Sequence, residues 1–181
     1  MHAHSFTAWS PMPGPAALRP LAGVLAAFDV AVAWILCAAM AVMVVVVGAQ
    51  VALRYGFNSS LDWADEIARL TFVWSIFLAI ALGVRTGSHI GIEMIVAKFP
   101  APLRDALARL VALVCAAALV LVAWQSFVVA RDQWDELMGA VNASTGWFLV
   151  PLVIGGVHGA LHFLWIAIQG PPKHGAAAAT E

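Results

Sequence analysis

The chain has 181 residues, of which 63% are hydrophobic and only 10% are charged, and its formal net charge is −1. Ordinary soluble domains carry roughly 25% charged residues, so a water-soluble fold has no way to bury this much apolar surface. The near-neutral charge also excludes the basic footprint of a nucleic-acid-binding protein. The composition therefore predicts an all-α integral membrane protein.

Four long apolar segments account for most of this hydrophobicity, and charged residues are confined largely to the connectors between them. No Asp, Glu, Lys or Arg occurs in residues 30–53, 70–84, 110–130 or 137–172. A helix needs roughly 20 apolar residues to cross about 30 Å of hydrocarbon, so each segment, with its flanking residues, is long enough for one crossing. We predict a four-helix membrane domain over residues 21–169, with transmembrane helices at about 21–53, 63–84, 103–130 and 147–169.

The two ends of the chain and the second connector differ in composition from these segments. Residues 1–20 contain four prolines among small and polar residues, and residues 170–181 contain two prolines and an alanine run, so both are expected to be flexible, disordered tails. Residues 85–105 mix apolar and polar side chains and are too short to cross a membrane. They predict a short amphipathic helix on the membrane surface, in which His89 and Glu93, four residues apart, lie on a solvated polar face.

The basic residues predict the orientation of the chain. If the N-terminus is cytoplasmic, six of the nine lysines and arginines lie in cytoplasmic segments and three lie on the opposite side. Because basic residues are enriched in cytoplasmic loops, this distribution predicts that both tails are cytoplasmic.

A dense group of charges surrounds the predicted turn between helices one and two. Asp62 suits the N-cap of helix two, and Asp65 and Glu66 fall in its first turn, where carboxylates complement the helix dipole. Arg54 precedes the turn, and Arg69 lies four residues after Asp65, which is the spacing of a same-face ion pair. These five residues are expected to form a charged cluster that either holds the turn together or contacts a partner subunit.

Helix four carries two pairs of residues at helical spacing. His158 and His162 are four residues apart and share a face, and that spacing can bind a metal ion. Asp29 is expected near the membrane interface, so no acidic residue is expected at their depth as a third ligand, and we interpret the histidines as interhelical hydrogen-bonding groups. Gly155 and Gly159 form a small-xxx-small pair, which predicts a close contact with a neighbouring helix whose identity the sequence leaves open.

The chain lacks the residue patterns of an enzyme or of an independent carrier. Its sequence has no nucleophile–base–acid constellation, no glycine-rich phosphate loop and no paired intramembrane carboxylates. Cys37 and Cys115 both lie in apolar segments and are interpreted as small buried hydrophobic residues. A carrier acting alone ordinarily needs broken helices or buried polar groups at mid-membrane. We therefore predict no catalytic residue, substrate site, metal or cofactor in this chain.

Two segments of the sequence resemble a known family. Residues 54–69, RYGFNSSLDWADEIAR, combine an Arg-Tyr and Phe-Asn turn with a Trp that is followed by acidic residues and an Arg. Residues 84–93, VRTGSHIGIE, contain a His-Ile-Gly segment that ends in an acid. In this order on a four-helix chain, the segments are similar to those of the small membrane subunit of tripartite ATP-independent periplasmic (TRAP) transporters.

This resemblance implies a transport function that depends on other chains. The small subunit of such a transporter partners, in the bacterial inner membrane, with a large permease subunit that holds the substrate and sodium sites. A periplasmic binding protein delivers an organic acid, such as a C4-dicarboxylate or a sialic acid, and ion gradients rather than ATP drive its uptake by symport. The small subunit is thought to brace the moving large subunit and to help dock the binding protein.

Two other functions stay open at the level of the sequence. Four helices with intramembrane histidines are also expected of a haem-bearing membrane anchor of a respiratory enzyme, although haem needs histidines on facing helices. A self-sufficient small carrier would transport its solute without a companion subunit. A visible spectrum of the purified protein tests the first function, and reconstitution of the chain alone tests the second.

Overall fold

Four long helices make up most of the described part of the chain and confirm the predicted all-α membrane fold. The computed structural model describes residues 19–85 and 100–169, and within them no β-strand occurs beyond a single bridge between Leu137 and Ser144. The helices are α1 (Arg19–Phe57), α2 (Asp62–Arg85), α3 (Ala101–Asp132) and α4 (Val150–Gln169), with a short 3₁₀ turn at Thr145–Phe148 before α4. Most of the predicted surface helix, including His89 and Glu93, lies outside the described residues, as do nearly all of the two predicted tails.

Every one of these four helices contains a stretch long and apolar enough to cross a membrane, from 23 residues in α2 to 36 residues in α1. The first connector is shorter than predicted because α1 continues through Arg54 as far as Phe57. Asn58 then reverses the chain with a positive φ of 49°, a conformation that asparagine tolerates better than most residues. The Ser59 amide donates to the Leu53 carbonyl at 3.2 Å and closes the turn.

The helices pack side by side in the spatial order α1, α2, α4, α3. Helix α4 is therefore an inner helix, with neighbours on two sides, whereas α1 and α3 lie at the two edges of the row. Burial follows this order, since half of the apolar stretch of α4 is buried but only 11% of that of α1 and 17% of that of α3. The edge helices consequently expose most of their apolar surface to whatever surrounds the chain.

Three glycines let α4 approach both of its neighbours closely. A Cβ atom at Gly155 would collide with the backbone carbonyl of Phe77 on α2. A Cβ atom at Gly156 would lie 3.1 Å from the carbonyl oxygen of Leu119 on α3, and one at Gly159 would lie 2.9 Å from the Cδ1 atom of the same leucine. Backbone atoms cannot move aside as a side chain can, so Gly155 and Gly156 suit the observed packing best, whereas at Gly159 the end of the Leu119 side chain could shift.

One stripe of α1 follows a regular repeat of three and four residues along almost the whole helix. Between Trp34 and Phe57, the stripe residues are partly covered and all of the remaining residues are exposed. A spacing that averages 3.5 residues is the seam of left-handed, coiled-coil-like packing, here against α2. The stripe consists of Ala22, Leu25, Asp29, Val32, Leu36, Ala39, Met43, Val46, Gln50 and Leu53.

Candidate functional site

A carboxylate and two imidazoles meet inside the helix row. The Oδ1 atom of Asp29 on α1 lies 2.7 Å from the Nε2 atom of His158 and 2.7 Å from that of His162, both on α4. The two Nε2 atoms are themselves 3.0 Å apart. All three side chains are 0–1% exposed. The spacing of the histidines on α4 was visible in the sequence, but their acidic partner was not.

The expectation that no acidic residue lies at the depth of the histidines is wrong. Helix α1 begins at Arg19, so Asp29 lies about 15 Å inside it, rather than near its end. His162 and His158 lie about 10 Å and about 17 Å from the last residue of α4, which brings the three side chains to one level. Asp29 also occupies the packed stripe of α1, which turns its carboxylate inward.

The surroundings of the two histidines are described by one ring contact and by their buried Nδ1 atoms. The ring of Phe28 meets the His158 ring edge-on, with centroids 4.8 Å apart. The Nδ1 atoms of His158 and His162 are buried and find no hydrogen-bond partner in the described part of the chain. The two imidazoles project from successive turns of one helix with their Nε2 atoms in contact, so they cannot approach one haem iron from opposite faces. The geometry therefore gives no support to a haem anchor.

Glu66, a member of the predicted charged cluster, attaches α2 to the loop between α3 and α4. Its Oε2 atom accepts hydrogen bonds from the backbone amides of Ala140 at 3.0 Å and Val141 at 2.8 Å. A Cβ atom at Gly139 would lie 3.3 Å from the other carboxylate oxygen, so glycine allows the loop to lie directly against the acid. This contact joins residues more than 70 positions apart, and no sequence spacing indicated it.

The remaining charges of the predicted cluster do not form one network. Asp65 accepts a hydrogen bond at 3.1 Å from the Gln50 side chain on α1, and it makes no ion pair with Arg69. Asp65 lies in the first turn of α2 as predicted, and Asp62, predicted at the N-cap, is the first residue of the helix. Arg54 and Arg69 are exposed, and neither forms an ion pair within the described residues.

An open polar pocket of about 350 Å³ lies at the turn between α1 and α2. Arg54, Asp62 and Asp65 of the predicted cluster contribute to its lining, whereas Glu66 and Arg69 do not. The lining consists of Gln50, Arg54, Asn58, Ser59, Ser60, Leu61, Asp62 and Asp65.

Three tryptophans reinforce the end of the row at which Glu66 contacts the loop. The Nε1 atom of Trp74 donates to the backbone carbonyl of Trp147 at 3.1 Å, and the two rings lie 6.3 Å apart. Trp134, just beyond α3, packs against Trp147 with a centroid distance of 5.9 Å. A Cβ atom at Gly146 would lie 2.8 Å from the Trp134 ring, so glycine is needed there. The start of α4 is thus fixed to both α2 and α3.

The sequence matches one protein-family model and is similar to several transporter subunits. The model for the DctQ component of tripartite ATP-independent periplasmic transporters matches residues 43–170, which include Glu66 and both histidines but not Asp29. A Haemophilus influenzae protein with the provisional name TRAP transporter small permease is 30% identical over 116 residues, covering 61% of this chain and 71% of that protein.

Two Vibrio cholerae proteins are also similar to the chain. The C4-dicarboxylate TRAP transporter small permease protein DctQ is 34% identical over 104 residues, or 54% of this chain and 44% of that protein. The sialic acid TRAP transporter small permease protein SiaQ is 27% identical over 121 residues, or 65% of this chain and 68% of that protein. This chain thus spans less than half the length of the first of these relatives.

Proposed function

Because the chain belongs to the DctQ family of TRAP transporter small permease subunits, we propose that it braces a large permease subunit during ion-gradient-driven uptake of an organic acid. Members of this family are transporter components, not enzymes, and they work with a large permease subunit and a periplasmic binding protein. In this proposal the large subunit holds the substrate, and the present chain supplies a fixed support against which that subunit moves.

The length and exposure of α1 are the observation that carries the proposal. Its 36-residue apolar stretch is about 54 Å long, so fitting it within about 30 Å of hydrocarbon by tilting alone requires a tilt of about 55°. Transmembrane helices tilt by about 20° on average and rarely beyond about 40°. We therefore expect α1 to project beyond the hydrocarbon, where exposed apolar side chains suit contact with a protein partner.

The side chains on this surface suit such a partner. Val24, Val44 and Val45 are 64–68% exposed, although all three are apolar. They lie outside the stripe that packs on α2, so the described part of the chain leaves them largely uncovered. Large exposed apolar surfaces on a folded protein mark sites of association with membranes or other proteins.

The rest of the molecule fits a support better than a conduit. Asp29, His158 and His162 are buried against one another and do not line an open passage. At the opposite end of α4, Glu66 and Trp74 fix the α3–α4 loop and the 3₁₀ turn to α2. These cross-links oppose sliding of α4 along its neighbours, as a stationary element requires.

Family membership also supports the finer parts of the proposal. Four membrane-spanning helices and similarity to TRAP permeases fit a multi-pass protein of the bacterial inner membrane. The basic-residue distribution supports cytoplasmic termini, which places Glu66 and the α1–α2 pocket on the periplasmic side, within reach of a binding protein. Relatives named for C4-dicarboxylate and for sialic acid support an organic acid as the solute.

Site-specific photo-crosslinking tests the proposed contact between α1 and the large subunit. A photoreactive amino acid replaces Val44, which is 64% exposed, or Val46, which lies in the α2-facing stripe, in cells that also express the large subunit. We expect an adduct with the large subunit from position 44 and none from position 46. The same replacement of Val120 on α3, which is 53% exposed, tests for contact at the other edge of the helix row. Adducts from position 120 alone, or from none of the three positions, would contradict the proposal.

A further inference from the structure

The three short contacts among Asp29, His158 and His162 cannot all be hydrogen bonds while the carboxylate is ionised. An imidazole Nε2 atom either carries a proton and donates or lacks one and accepts. If both Nε2 atoms donate to Asp29, two donors face each other across the 3.0 Å between the rings. If one of them accepts, its lone pair faces the carboxylate oxygen at 2.7 Å. With an ionised carboxylate, every arrangement of the imidazole protons leaves one repulsive contact in this buried site.

A divalent cation removes that conflict because it uses an electron pair from each of the three atoms. We propose that Asp29, His158 and His162 form a binding site for a divalent transition metal ion, with the chemistry of a zinc site. Two imidazole nitrogens and one carboxylate oxygen are a common ligand set for zinc, with a fourth position left for water or a second carboxylate oxygen. Donor atoms of all three residues lie within 4.8 Å of one another, and all three residues are buried.

The distances require only a small adjustment to admit the ion. Tetrahedral zinc with bonds of about 2.0–2.1 Å holds its donor atoms about 3.3 Å apart. The present separations of 2.7, 2.7 and 3.0 Å are therefore about 0.3–0.6 Å too short, a difference that small rotations of the side chains supply. Binding through Nε2 places the ring protons on Nδ1, which is unpartnered with or without metal, so these atoms do not decide between the two states.

The ion would join two helices that meet through side chains but have no close backbone contact. Helices α1 and α4 are separated in the row by α2, and side chains at this cluster reach between them. Asp29 lies outside residues 43–170, which the family model matches. The match to the family therefore covers the two histidine ligands but not the carboxylate ligand. A metal bound here would fix the start of α1 to the second half of α4.

Direct metal analysis of the full chain tests this site. The protein is purified in detergent with a non-histidine tag, with Cys37→Ser and Cys115→Ser removing the thiols, and is then stripped with a chelator and equilibrated with Zn²⁺ alone. We expect about one zinc per chain by elemental analysis. Asp29→Asn should weaken binding by at least about 10-fold, the smallest loss expected when a ligand is removed, since even outer-shell changes cost about 10–100-fold. His162→Gln should give a similar loss.

Controls separate this site from incidental binding. Asp65→Asn makes the same carboxylate-to-amide change at an exposed position and should retain zinc. The Asp29→Asn protein keeps all six histidines of the chain. The zinc that it retains therefore measures the background binding that does not depend on Asp29. Co²⁺ should give intense visible bands of tetrahedral coordination in the parent protein, and these bands should be absent in Asp29→Asn. A parent protein that is helical by circular dichroism yet binds no more zinc than Asp29→Asn would overturn the proposal, as would full binding by both variants.

Discussion

Replacement of Glu66 by alanine should release the α3–α4 loop from α2. The Glu66 carboxylate accepts two backbone hydrogen bonds, from Ala140 in an exposed position and from Val141 in a partly buried one. Hydrogen bonds contribute about 0.5–1.5 kcal/mol when both groups are neutral and about 1.5–3 kcal/mol when one is charged. We assign the lower range to the exposed bond and the upper range to the partly buried bond. Glu66→Ala should then destabilise the closed conformation of the loop by about 2–4 kcal/mol.

Hydrogen–deuterium exchange of the loop amides measures this loss directly. Exchange of a protected amide follows the free energy of the local opening that exposes it. Since about 1.4 kcal/mol corresponds to a tenfold change in an equilibrium constant, the Ala140 and Val141 amides should exchange about 30-fold faster or more in the Glu66→Ala protein. Mass spectrometry of peptides that cover the loop, on protein in detergent or nanodiscs, provides the readout.

Two further variants test whether the carboxylate of Glu66 is responsible. Glu66→Gln keeps an acceptor oxygen without its charge, and since neutral hydrogen bonds are roughly half as strong, it should give an intermediate acceleration. Asp65→Ala removes the neighbouring acid, which accepts only from Gln50 among the described contacts, and should leave loop exchange unchanged. Unchanged exchange at Ala140 and Val141 in Glu66→Ala would refute the assignment of Glu66 as the residue that holds the loop.

Two other predictions concern packing and orientation. Gly155→Ala should destabilise the protein by about 1–3 kcal/mol, as overpacking does, because the new methyl group meets the Phe77 backbone, whereas Gly48→Ala, with nothing within 4 Å of its Cβ, should not. Thermal unfolding of the two variants in the same detergent makes the comparison, and equal midpoints would contradict the proposed close approach of α2 and α4. Reporter fusions at Gly139 and at the C-terminus should report the periplasmic and the cytoplasmic side, respectively, and signals from the same side would contradict the predicted topology.

The sequence predicted the fold class because hydrophobicity over long windows determines which segments enter a bilayer. Four charge-free segments were sufficient to identify four crossings, and the turn motif at residues 54–69 was sufficient to suggest the family. The end of α1 was predicted less well. The first helix was predicted to end near residue 53, but it continues to Phe57 and the reversal occurs at Asn58.

The sequence did not predict the contacts that join distant residues. Asp29 and His162 are 133 positions apart, and Glu66 and Val141 are 75 positions apart, so no local spacing connects either pair. The one available signal for Asp29 was its place in the 3.5-residue repeat of α1, which puts it on the packed side of the helix. The expected pair of Asp65 and Arg69 had ideal helical spacing, yet Asp65 binds Gln50 on the adjacent helix instead.

Uptake by reconstituted proteoliposomes tests most directly whether the chain is a bracing subunit and not a carrier. Vesicles contain this chain, a large TRAP permease subunit from the same organism, or both. A TRAP binding protein loaded with an organic acid is present outside, and an inward ion gradient is imposed. We predict gradient-dependent uptake only when both membrane subunits are present. Uptake by this chain alone, or an undiminished rate with the large subunit alone, would contradict the account.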